Sequence, residues 1–272
     1  MIPSAVAVRA RAVREDVAGM TASAWLSWSA GAVVVLAQIL YSMSEPGQRF
    51  ATTAISVVAF AVSSVFDAVS RFGARAAVVL VAVAGGGGLT AEALGVHTGF
   101  PFGDYAYTGT LGVAVFAVPV LVPLAWIMMA WPAFLVGRSL GSGWWAVPAG
   151  GWALASWDVF LDPQMVDEGH WRWLDVTATL PGVHGIPLSN FAGWLLVATV
   201  LVLLLHRLLP DDRVPPPRLR GGAAPVLYLW TYFSSVWAHA AFFGRPWVSL
   251  VGGLVMGAVA LPFARALWRG RR

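Results

Sequence analysis

The chain contains no cysteine, which excludes disulfides, thiolate nucleophiles and thiolate metal sites. It contains no lysine either, because all 17 basic residues are arginine. A retinal-type Schiff base is therefore excluded, although a helical bundle of this size invites that comparison. Charge of either sign is scarce, at 11% of 272 residues. The 5 histidines stand far apart with no HxxH or HxxxH spacing, so the ligand sets of a metal-dependent hydroxylase or desaturase are missing and no metal site is expected. Apolar residues fill the chain instead. They make up 58% of it, tryptophan alone occurs 15 times, and the mean hydropathy is +0.73. Such a composition belongs to a polytopic membrane protein.

Apolar runs such as "AGAVVVLAQIL" and "GWLLVATVLVLLL" recur at the scale of roughly 20 residues that a helix needs to cross about 30 Å of hydrocarbon. The expected fold is an all-α transmembrane bundle of about eight spans. They fall near 23–43, 51–70, 76–97, 111–137, 143–161, 187–206, 223–243 and 247–266. The arginines test that count. One side receives Arg9, Arg11, Arg14, Arg71, Arg75, Arg138, Arg207, Arg213, Arg218, Arg220, Arg265, Arg269, Arg271 and Arg272, whereas the other holds only Arg49, Arg172 and Arg245. Cytoplasmic loops are the ones enriched in Lys and Arg, so both termini are expected in the cytoplasm.

The domain reading follows from the same pattern. Residues 1–22 form a cytoplasmic tail, residues 23–268 form a single transmembrane domain, and residues 269–272 form a basic C-terminus. Residues 207–222, with the proline run of "LPDDRVPPPRLRGG", read as a stiff cytoplasmic linker. Residues 98–110 and 162–186 read as outer loops. The pI near 10.1 reflects arginines flanking spans, and without a basic patch interleaved with aromatics no nucleic-acid partner is expected.

The polar residues that remain gather at one depth. "EALGVHTGFPFGDYAYTG", residues 92–109, and "DPQMVDEGHWRWLDVTATLPGVHGIPLSN" both fall on the outer side. The outer ends of four spans add Glu92, Asp158, Asn190 and His239. Ionisable groups in spans face an interior or a wet cavity, so a functional pocket toward the outer leaflet is the default reading. Asp158 and Asp162 in "WDVFLDP" stand four apart and share one helix face, where two carboxylates do not readily ionise together. Such a pair offers a proton donor near neutral pH. The blander reading has Asp162 ending the helix before Pro163 and facing water. Asp104 has a bland reading as well, as a turn residue beside Pro101 and Gly103. Trp171, Trp173, Tyr105 and Tyr107 fit an interfacial aromatic belt. Asp67 and Arg71, four apart in span two, read as a structural ion pair, and the glycines at 85–88 permit close helix approach near Glu92.

"TGFPFGDYAYTGTLG", "VPVLVPLAW", "WDVFLDPQM", "HWRW" and "GIPLSNFAGWLL" occur in that order over about residues 89–196. In these motifs the chain resembles the integral-membrane carotenoid biosynthesis proteins of the bisanhydrobacterioruberin hydratase or carotenoid 1,2-hydratase type. The resemblance implies hydration of the terminal C1=C2 double bond of an acyclic carotenoid end group to a tertiary alcohol. The substrate would be a C50 carotenoid such as bisanhydrobacterioruberin or an acyclic C40 end such as that of lycopene or γ-carotene. It implies no cofactor, a carotenoid substrate held in lipid in the cell membrane, and other enzymes of the same pathway as natural partners, though no motif identifies one.

Hydration needs a proton on the less substituted carbon, a stabilised tertiary cation and a positioned water. On this reading Asp158 or Asp162 is the acid, and Glu92 and Asp104 position water or set proton affinity. Tyr105, Tyr107 and Trp157 face the cation, while Asn190 and His239 complete the polar wall. Two readings from other classes stand beside it. A proton-coupled transporter would need polar groups along a path through the membrane. A carotenoid-binding protein without activity would survive loss of the acids.

Overall fold

The computed structural model describes residues 16–45, 47–210 and 221–269. The tail up to residue 15, residues 211–220 of the expected linker and the basic residues 270–272 lie outside the described residues. The described part is mostly helical. Six of its helices are long and apolar enough to cross a membrane by length and composition. These are α1 (Ala22–Met43), α2 (Phe50–Phe72), α3 (Ala74–Thr98), α4 (Leu121–Leu140), α7 (Leu188–Leu208) and α9 (Pro246–Arg269). Two shorter helices in tandem, α5 (Ala146–Ala155) and α6 (Asp158–Asp167), lie between α4 and α7, and α8 (Ala224–Ala241) precedes α9.

Helix α1 carries no charged residue, and its 22 residues reach about 33 Å at 1.5 Å per residue. Its first turn is capped by Thr21, whose Oγ1 accepts from the Ala24 N–H at 3.2 Å, as an N-cap threonine should. Helix α4 is the centre of the bundle, and every residue from Trp126 to Gly137 is buried. The expected ion pair between Asp67 and Arg71 is present, with Arg71 Nε donating to Asp67 Oδ1 at 2.5 Å. Trp131 Nε1 (3.0 Å) and the Ala224 N–H (3.1 Å) donate to the same carboxylate. It ties α2 to α4 and to the first residue of α8, a use of charge that is structural.

Glycines set how closely α3 approaches its neighbours. A Cβ on Gly88 would stand 2.5 Å from Trp126 Cγ, and one on Gly87 would stand 2.6 Å from Leu201 Cδ2. Helices α4 and α7 therefore pack onto the bare backbone of α3, the close approach that small residues allow. A π-helical segment, Val81–Gly86, immediately precedes these glycines within α3.

The structure departs from the sequence expectation in three places. First, the stretch expected to open span four is not helical before Leu121. Residues Ala114–Val115 (β2) and Val118–Pro119 (β3) form an antiparallel hairpin, turned at Phe116 and Ala117 with φ of 52° and 65°. Two consecutive positive φ values make the tight turn whose twist suits a hairpin, and apolar composition alone hid it. Second, the span expected at 143–161 is divided at Ser156 and Trp157 and continues to Asp167. The outer loop expected from residue 162 thus begins later, and Asp162 lies inside a helix. Third, the two outer loops contain strands, Tyr105–Tyr107 (β1) and Trp171–Trp173 (β4). They pair antiparallel with Tyr105 opposite Trp173 and Tyr107 opposite Trp171.

Candidate active site

The pairing of β1 with β4 builds the site. Successive strand residues point to opposite faces, so Tyr105 and Tyr107 share one face and Trp171 and Trp173 share the face beside them. Tyr105 packs on Trp173 with ring centroids 6.0 Å apart, and Tyr107 meets Trp171 edge-on at 5.8 Å. This aromatic sheet covers a cavity of 580 Å³ whose wall includes Glu92, Asp162, Asn190, Trp126, Trp157 and Trp194. Its lining is mostly apolar, with a few convergent polar groups, as is usual for a small-molecule site.

Glu92 is buried on α3 and receives three donors. Tyr105 Oη (2.6 Å) and Tyr107 Oη (2.8 Å) donate to its Oε2, and Trp126 Nε1 (3.0 Å) donates to Oε1. Burial first, and the Glu92 charge second, hold both phenols above the ordinary tyrosine range, so both remain protonated donors. The Trp126 ring stacks on Trp194 at 4.1 Å and 15°. The Trp157 ring stands edge-on to Trp194 at 6.1 Å.

A second carboxyl cluster forms on α6 and α7. Asn190, in the first turn of α7, donates through Nδ2 to Asp158 Oδ2 at 2.7 Å and also to Asp162 Oδ2. Trp171 Nε1 donates to Asp162 Oδ1 at 3.2 Å. Asp162 is 2% exposed and on the cavity wall, whereas Asp158 is fully buried and does not line the cavity. The two carboxyls lie within reach of one another. Asp158 Oδ1 has no hydrogen-bond partner among the described residues. An unpaired buried carboxyl oxygen is costly unless it carries or receives a proton.

Of the residues singled out in the sequence, Glu92, Asp162, Asn190, Tyr105, Tyr107 and Trp157 line the one cavity, and Asp158 stands behind Asp162. Two do not join them. Asp104 is exposed; it immediately precedes β1, and its carbonyl accepts from the Leu174 N–H at 2.7 Å. Its carboxylate lies against Gly99, so it serves the turn. His239 is fully buried but off the wall, with its ring 5.5 Å from that of Phe160 and 5.4 Å from that of Phe243. Sequence alone does not mark Trp126, Trp171 and Trp194 as cavity residues, because a tryptophan in an apolar helix or at an interface carries no signal of its indole donor. Among the described residues no group of three or more His, Cys, Asp and Glu is placed to hold a metal.

The family model described as "Carotenoid biosynthesis protein" matches residues 49–260, a stretch that contains Glu92, Asp158, Asp162 and Asn190. The chain belongs to this family. A curated relative, the bisanhydrobacterioruberin hydratase of Haloarcula japonica, is 28% identical over 216 residues, covering 77% of this chain and 68% of the relative. No solved structure matches the chain. Family and apolar helices together make this an integral membrane protein of carotenoid biosynthesis, and α1 lies outside the matched stretch.

Proposed function

We propose that the protein hydrates the terminal C1=C2 double bond of an acyclic carotenoid end group, giving a tertiary alcohol. The observation that carries this reading is that one apolar cavity is walled by Asp162, backed by Asp158 on α6, and by the acceptor carboxyl of Glu92 on α3. Both are ringed by indoles and phenols. The hydratase name of the Haloarcula relative supports it. The cavity suits a C40 end like that of lycopene or γ-carotene, or a C50 end like that of bisanhydrobacterioruberin.

Asp158 and Asp162 hold one proton between them, and Asp162, the member at the wall, delivers it to C2 of the alkene. The π electrons form the new C2–H bond and leave a tertiary cation at C1. Trp157, Trp194 and the phenols of β1 present ring faces or oxygen dipoles to that cation. A water held by Glu92 adds to C1, and its proton passes to a carboxylate, which restores the proton of the pair through the solvent of the cavity. One alkene and one water give one alcohol, with no change of oxidation state overall and no cofactor required.

In the membrane, α5 with α6 forms one crossing and α8 another, completing eight. Both termini then lie in the cytoplasm, and the cavity lies toward the outer leaflet of the plasma membrane. Two of the three arginines expected on the outer side, Arg49 and Arg245, meet at one end of the bundle. Arg49 donates to Glu168 at 2.6 Å and Arg245 pairs with Asp167, both at the end of α6.

The test is expression in a bacterium that makes lycopene or bisanhydrobacterioruberin, with mass analysis of the pigments. Pigment heavier by one water per reacted end is the expected product. Unchanged pigment with both substrates, in cells whose membranes contain the protein, would overturn the proposal. A binding protein without activity would give that second outcome with pigment bound.

A further inference from the structure

The cavity is too small for the molecule it is proposed to serve. At 580 Å³ it lies within the range of roughly 300–1,000 Å³ that encloses a drug-sized ligand. It accommodates an end group, and the rest of a C40 or C50 chain has to leave it. The question is where.

Most of the cavity wall is buried or half-buried. The lining residues that are exposed are Ile39 and Met43 on α1, and Phe233, Trp237 and Phe242 on α8 or its C-cap. All five belong to the same two helices, and all are large and apolar. The two helices meet closely away from this region, where the Ala223 N–H donates to Ser27 Oγ at 3.0 Å and a Cβ on Gly31 would stand 3.0 Å from Ala223 Cβ. They are joined again by Trp230 Nε1 donating to Gln38 Oε1 at 2.8 Å. Gln38 Nε2 in turn donates to Ser56 Oγ at 3.2 Å. On the outer side Tyr41 meets Phe243 edge-on at 5.9 Å, and the Arg49 guanidinium lies over both rings at 5.0 and 5.3 Å. Phe233 and Trp237 fall between Trp230 and Phe243 along α8.

We infer that the gap between α1 and α8, bounded by the Gln38–Trp230 hydrogen bond and the Tyr41–Phe243 contact, is a lateral portal. Through it the polyene of the substrate extends from the cavity into the hydrocarbon of the bilayer. The inference rests on the carotenoid reading above and adds the route and the helices that line it. The apolar exposed wall suits a conjugated hydrocarbon chain, and the polar Trp230–Gln38–Ser56 link closes one edge of the portal. It also gives α1, which lies outside the family match, a part in substrate binding.

The absence of cysteine makes the test direct. Ser42 on α1 lines the cavity at the portal and Ser235 does so on α8, whereas Val33 is exposed on α1 and lines nothing in the cavity. Single Ser42→Cys, Ser235→Cys and Val33→Cys variants of the full chain are placed in lipid vesicles and labelled with a lipophilic maleimide, with and without lycopene. Lycopene at about ten times its Kd is expected to slow labelling at the two portal positions about tenfold and to leave Val33→Cys unchanged. Equal labelling rates at all three positions in protein that retains the pigment would overturn the portal while leaving the hydration proposal intact. Protection at the portal with no hydrated product from any carotenoid would retain the portal and overturn hydration. Protein that retains neither lycopene nor, in the same experiment, bisanhydrobacterioruberin would overturn both.

Discussion

Asp162 and Asp158 lie one helical turn apart on α6, yet only Asp162 reaches the cavity wall, while Asp158 is fully buried behind it. The difference sets two roles for two like residues. Asp162→Asn removes the proposed proton donor and is expected to lower hydration by about 10²–10⁴-fold, the range for a general acid. Asp158→Asn leaves that group in place and is expected to cost about tenfold, by changing how readily the pair holds its proton. Product formed per unit of membrane protein in pigment-producing cells measures both. Equal losses at the two positions would contradict the division.

Asn190 is the donor common to both carboxyls. Asn190→Leu strips two buried acceptors of their partner, and hydrogen bonds to charged groups contribute about 1.5–3 kcal/mol each. A lower unfolding temperature in detergent and a loss of hydration are expected together. Asn190→Gln, which keeps the amide, is expected to lose less of both.

The packing of α3 supplies a test that leaves every acid in place. Gly88→Ala would place a methyl 2.5 Å from Trp126 Cγ, forcing the indole from its bond to Glu92. Overpacking of this kind costs about 1–3 kcal/mol. The expected outcome is reduced hydration from a folded protein of lower unfolding temperature. The same substitution at Gly86, where an added Cβ meets nothing within 4 Å, is expected to be nearly silent.

His170, beside the β1–β4 pairing, is expected to make stability depend on pH. It is buried at the edge of β4, with Nδ1 2.8 Å from Thr110 Oγ1, and burial lowers its proton affinity below the ordinary histidine value. The folded state therefore favours the neutral ring. Its contribution is intact above the unfolded pKa of about 6.5 and is lost as pH falls from there toward the lower folded value. Unfolding temperature in detergent is expected to drop as pH falls below about 6.5, and His170→Gln is expected to flatten that part of the drop. An unchanged slope in the variant would remove His170 from the explanation.

Much of this arrangement was legible in the sequence, and the parts that were not share a cause. Glu92, Asp158, Asp162 and Asn190 stood out because a carboxyl or carboxamide in an apolar helix has few places to go. The structure brings all four to one side of the bundle. The i, i+4 spacing of Asp158 and Asp162 was sufficient to put them together. Pairing between β1 and β4 was not legible, since strands of three residues in polar loops carry too little alternation to be read. Trp171 therefore reads from sequence as an interfacial anchor, and Tyr105 and Tyr107 as anchors or as rings facing a cation, when Tyr105 and Tyr107 are donors to Glu92 and Trp171 is a donor to Asp162. Asp104 lies just before β1, exposed and with its carboxylate against Gly99, which is the turn role that Pro101 and Gly103 also suggest in the sequence. The 114–119 hairpin was hidden by its apolar composition, which matches that of a span and differs only in two backbone angles.

The most direct test of the central claim is hydration in water enriched in oxygen-18, using the purified protein in lipid vesicles loaded with lycopene or bisanhydrobacterioruberin and no added cofactor. The expected result is an alcohol product carrying the heavy oxygen, formed by the wild-type chain and nearly absent with Asp162→Asn. Product without the heavy oxygen, or equal heavy product from the Asp162→Asn variant, would contradict acid-catalysed addition of water at this cavity.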